Sequence, residues 1–92
     1  MSFTKESAVY AAIDDLAKRL GVDEGDVKVT QICDKEFPDA ALGAPVEGEI
    51  SASVICEGWE IELSVEDAAY LYRADAQQLR ACGGAGKNHI VG

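Results

Sequence analysis

Apolar residues recur early in the chain at Val9, Ile13, Leu16 and Leu20, with Ala12 and Ala17 beside them, which is the four-three-four spacing of one helical face. The spacing predicts a helix over residues 5–20. Thr4 is placed to accept from the first free backbone N–H groups, Phe3 stands where a hydrophobic staple would reach Ala8, and Glu6 suits the positive end. Lys18 and Arg19 suit the opposite end. Gly21 can take the left-handed conformation that closes the helix, and Val22 can then fold back on Ala17.

Beyond a polar turn at Asp23–Asp26 the pattern changes to alternation. VKVTQIC reads as a strand through Val27, Val29 and Ile32, with one slip near Gln31 of the kind a bulge produces. Residues 34–49 hold both prolines and read as a long loop. ISASVIC and WEIELSV then read as a hairpin reversing at Glu57-Gly58, with Trp59, Ile61, Leu63 and Val65 inward and Glu60 and Glu62 outward. Glu66 and Asp67 turn into a further strand, AAYLYRA, in which the pattern does not decide between Leu71 and the pair Tyr70 and Tyr72 for the inward face. Asp75–Gln78 reads as a turn into a short extended LRAC.

One helix followed by tightly connected strands implies an α+β fold, a helix packed across one face of an antiparallel sheet of about four strands. The helix stripe and the strand carrying Trp59 should meet. Residues 1–82 are expected to form the single domain, and 83–92, GGAGKNHIVG, a flexible glycine-rich tail.

Composition narrows the function. The 92 residues carry eight basic and seventeen acidic side chains, a formal charge of −9, which repels phosphate backbones and anionic lipid. Nucleic acid is therefore a poor partner, and no segment has the length and apolarity to insert in a membrane. The N-terminus lacks the features of an export signal, so the expected setting is the cytoplasm or, as the alternative, a mature exported domain without its signal peptide.

Catalytic and metal chemistry find little support. His89 is the one histidine, and a glycine-rich spacer separates it from Cys82. Cys33, Cys56 and Cys82 lack the paired spacing of zinc modules, so no metal or other cofactor is expected, and a Cys33–Cys56 bridge is left open. ACGGAGKN departs from a phosphate loop at both ends. Glu60 and Glu62 share a strand face, but alternation turns them to water.

The more informative segment is the loop. Pro38 holds Phe37 extended, Asp39 can cap the turn and Gly43 permits a tight bend, so Phe37, Pro38, Asp39, Leu42 and Gly43, with Trp59 beside Gly58, form the candidate partner-binding set. The competing reading has Phe37 and Leu42 plugging an open end of the core.

These residues resemble a family of small, largely uncharacterised bacterial domains whose signature runs Trp-Pro-Asp, Leu-Gly-Cys-Pro, a Gly-Tyr-Arg strand and a Tyr-x-Tyr strand. The matching residues are Phe37-Pro38-Asp39, Leu42-Gly43, Pro45, Gly58-Trp59 and Tyr70-x-Tyr72. Phe37 replaces tryptophan, Trp59 replaces tyrosine and Ala44 stands where many members have cysteine. In those relatives a late cysteine near the position of Cys82 could partner the one that Ala44 replaces, so the resemblance does not supply a disulfide here. The helix and the strands that follow also resemble PepSY-type domains, which implies a peptidase-binding or inhibitory role.

The expectation is a non-enzymatic interaction domain with a protein or peptide partner. The alternative is an assembly element, a homodimer or larger homo-oligomer formed through an exposed strand edge.

Overall fold

The computed structural model describes residues 3–39, 42, 53–82 and 88–91. Helix α1 spans Lys5–Leu20, and its ends carry the devices its sequence encodes. Thr4 accepts from the Ser7 N–H at 3.1 Å while the Ser7 hydroxyl accepts from the Thr4 N–H at 2.8 Å, a reciprocal capping box. Gly21 closes the helix at φ 69°, and the Val22 N–H reaches the Ala17 carbonyl at 3.0 Å.

Among the described residues five antiparallel strands follow in spatial order β1 to β5: Lys28–Phe37, Cys56–Val65, Ala68–Ala74, Leu79–Cys82 and His89–Val91. The fold is α+β as expected, with corrections to its strands. Glu57-Gly58 is no reversal: β2 runs straight through it, and its partner is β1, which extends to Phe37 through residues expected to be loop. Gly58 is required by close approach, because a Cβ there would overlap the Ala74 carbonyl and sit 3.1 Å from the Phe37 ring. The second correction is at the C-terminus, where His89–Val91 adds a fifth strand on β4, with Ile90 opposite Arg80. Backbone pairing and the packing of Val91 against the core hold this segment, which at three residues is too short to signal a strand by alternation.

Of the expected strand ISASVIC only Cys56 lies in a strand among the described residues, and residues 53–55 lie outside any. The readings of the bulge and the two turns agree with the structure. The ladder slips between Val29 and Gln31, and the Thr30 hydroxyl at this bulge donates across to Glu62, 2.9 Å from Oε1. Glu66-Asp67 joins β2 to β3, and Asp75 Oδ1 accepts from the Gln77 and Gln78 N–H groups at 2.8 and 2.9 Å in the turn before β4.

The core lies between α1 and one sheet face. Ala8, Val9, Ala12, Leu16 and Ala17 meet Ile61, Leu63, Val65, Tyr72, Ala74 and Leu79. The buried stripe centres on the row Ala8, Ala12, Leu16 rather than on Ile13 and Leu20, since alanines let the helix lie close against the strands. Tyr72, not Leu71, points inward. Its hydroxyl donates to Asp15 Oδ2 at 2.7 Å, and Arg19 donates to the same oxygen at 2.9 Å, tying helix to sheet. Burial, reinforced by the Asp15 carboxylate, holds the Tyr72 phenol above its ordinary value.

Two substitutions test this arrangement. Leu63→Ala removes a fully buried side chain at the helix–sheet contact and should cost about 2–5 kcal/mol in chemical denaturation. Glu66 sits at φ 55°, so Glu66→Gly should raise stability by about 1 kcal/mol in the same measurement.

Candidate functional site

Strand alternation gives β1 and β2 two chemically different faces. Toward the helix side, Ile32 stands opposite Ile61, Asp34 opposite Trp59, and Glu36 opposite Glu57. Toward the other side, Cys33 stands opposite Glu60, and Phe37 opposite Cys56.

The residues expected to form one binding set divide between these faces. Phe37 and Leu42 are 1% and 0% exposed and lie apart from the helix-side core, against the sheet face away from α1. The Arg73 guanidinium is 5.7 Å from the Phe37 ring centroid, and its Nη1 donates to the Leu42 carbonyl at 3.1 Å. The Asp39 carbonyl accepts from the Leu42 N–H at 3.1 Å in a turn that carries Leu42 at φ 57°. Pro38 is exposed and Asp39 half-buried, while Gly43 lies outside the described residues. Phe37 and Leu42 are thus buried on the second face, and not at an open end of the helix-side core.

Beside them is an ion cluster. Glu60 Oε2 accepts from Lys35 at 3.0 Å and from Arg73 at 3.2 Å. Burial pushes the Glu60 carboxyl upward, but the two cations outweigh it and leave it below the usual carboxylate range. Cys82 shows the opposite balance, with burial pushing its thiol up against the pull of Arg73. All three cysteines are free. Cys33 and Cys56 cannot bridge without rearrangement, because Cys56 pairs with Phe37, four residues along β1 from Cys33. That offset is on the order of 13 Å at strand rise, beyond the roughly 7 Å a disulfide spans.

Trp59 occupies the helix-side face. It is half-buried against the core and borders an open hollow of about 540 Å³ lined, among the described residues, by Asp34, Lys35, Glu36, Glu57, Gly58 and Trp59. Lys5 of α1 reaches Asp34 at 2.7 Å, while Glu36 and Glu57 are exposed and directly opposite one another. Like charges so placed repel, and a cation between them relieves the repulsion. In this corner the sequence pattern singles out Trp59 beside Gly58, while it places Asp34 and Glu36 in a loop and Glu57 in a turn. The usable signal was the period-two order acid, base, acid, apolar in Asp34-Lys35-Glu36-Phe37.

Among the described residues, no group of three or more His, Cys, Asp and Glu side chains is placed to hold a metal ion, and no helix is long and apolar enough to cross a membrane. The His89 side chain lies outside the described part, so its pairing with Cys82 does too. The arrangement offers an acidic, aromatic-walled hollow beside the edge of β1, which among the described residues pairs with β2 alone.

Helix, antiparallel meander and acidic hollow together define a small α+β domain. A family model described as Domain of unknown function (DUF8738) matches residues 9–82, and the chain belongs to that family. Comparison with curated proteins and with solved structures gives no match.

Two measurements follow from the second face. Gly58→Ala should destabilise by about 1–3 kcal/mol or more in chemical denaturation, because the added methyl meets a carbonyl that cannot withdraw from its ladder. Glu60 is depressed in the folded state, so its contribution is present above the unfolded carboxylate pKa and is lost as pH falls through the folded value. Glu60→Gln should therefore flatten the acid limb of a stability-against-pH profile and leave the alkaline limb unchanged.

Proposed function

We propose that this domain is a non-enzymatic interaction module that engages a basic segment of a protein or peptide partner at the corner formed by β1 and β2. The single observation that supports it most is the hollow around Trp59, where an aromatic wall and the carboxylates of Asp34, Glu36 and Glu57 share one open face. An ammonium or guanidinium there gains from the carboxylates and from the indole face together. The −9 formal charge adds long-range attraction for a cationic partner and opposes nucleic acid and anionic membrane. A peptidase-binding or inhibitory role, as the PepSY resemblance implies, is one form such a module takes. Three free thiols suit a cytoplasmic setting.

The second reading, homo-oligomers joined through a strand edge, draws on the open side of ten-residue β1. The charge that attracts a basic partner repels a second copy, which places this reading behind the first.

Trp59 is the chain's single tryptophan and reports directly on the hollow. Titration with oligolysine should shift its emission saturably, weaken as salt is raised, and fail with Glu36→Lys/Glu57→Lys at unchanged circular dichroism. An unchanged emission with oligolysine, or a shift that survives the double reversal, would remove the basis for this reading.

A further inference from the structure

We infer that the outer edge of β1 takes up an extended segment of the partner as an added strand, and that this segment carries basic side chains at alternate positions. The inference rests on the interaction-module reading and specifies its mode. Among the described residues β1 pairs on its β2 side alone, so one row of its N–H and C=O groups faces outward. From Gln31 to Phe37 the ladder with β2 keeps regular register, and the bulge that often protects an edge is confined to Thr30. Lys35, which could also guard the edge, is turned over the sheet onto Glu60 at 3.0 Å. Val29 and Ile32 remain 40% and 38% exposed along the same strand.

An incoming strand would lie about 4.8 Å from β1, with alternate side chains rising on the helix side beside Ile32, Asp34 and Glu36. Apolar is favoured beside Ile32. Basic is favoured beside Asp34 and Glu36, whose neighbours across β2 are Trp59 and Glu57. Asp34 already meets Lys5, but its side chain is 78% exposed and can face a second cation. Backbone pairing would supply affinity and the alternate side chains specificity, as in other strand-addition complexes. The occupant is a foreign basic strand, since a second copy would bring its own excess of acid to the same edge.

The pattern is directly synthesizable. Written from its N-terminus, the antiparallel mate of residues 31–36 is acetyl-Lys-Thr-Lys-Thr-Val-Thr-amide, and the parallel mate is acetyl-Thr-Val-Thr-Lys-Thr-Lys-amide. One of the two should bind the intact chain and protect alternate β1 amides from hydrogen exchange. N-methylation of one alternate set of peptide nitrogens, and separately Glu36→Lys in the protein, should each weaken it by about tenfold or more. Equal binding by both N-methylated sets would overturn strand addition while leaving a basic-segment module standing, provided oligolysine still shifts Trp59. Failure of both peptides where oligolysine binds would also overturn it. Failure of oligolysine as well would remove the underlying reading. A concentration-dependent dimer whose β1 amides are already protected would assign the edge to a second copy and overturn the proposal.

Discussion

Everything in this domain hangs on the contact between the alanine-lined stripe of α1 and the inner face of β2, β3 and β4. Ala8 and Ala12 are fully buried, which brings the helix backbone close enough for Leu16 to reach the same layer as Ile61, Leu63 and Tyr72. Each large side chain buried there contributes roughly 1.5–3 kcal/mol. The Tyr72–Asp15–Arg19 network adds direction to this non-directional force, because a phenol and a guanidinium converge on one carboxylate oxygen.

Anchoring the helix over β2 to β4 has a consequence for β1. The helix cannot also cover the first strand, so Val29 and Ile32 stay partly in water and the end bearing Asp34 and Glu36 overhangs the core. The opposite sheet face is closed by Phe37, Leu42 and Arg73 around Gly58. One face of the β1–β2 corner is thereby filled and the other left as an acidic hollow beside Trp59. The proposed recognition mode uses this asymmetry.

Belonging to a family defined without a function, the chain gives its chemistry only through its own residues. The loop that begins at Phe37 resembles a recognition element when read as a linear motif. Phe37 and Leu42 prove to be buried packing groups, and the polar neighbours that the motif omits, Glu36 and Glu57, face solvent.

The chain's local chemistry fixed what local chemistry can fix. The helix limits followed from Thr4, Gly21 and the apolar spacing, the bulge from a slip in alternation, and the Glu66-Asp67 and Asp75–Gln78 turns from polar punctuation between apolar runs. What tertiary structure decided was partnership. Gly58 reads as a turn residue until Ala74 and Phe37 crowd it from two other segments. His89–Val91 is unremarkable until β4 offers it a ladder. Glu36 and Glu57, twenty-one positions apart, become neighbours only when β1 and β2 adopt their register. Hydrophobic periodicity encodes which way a side chain faces, whereas which strand lies beside it depends on long-range pairing that no short stretch of sequence contains.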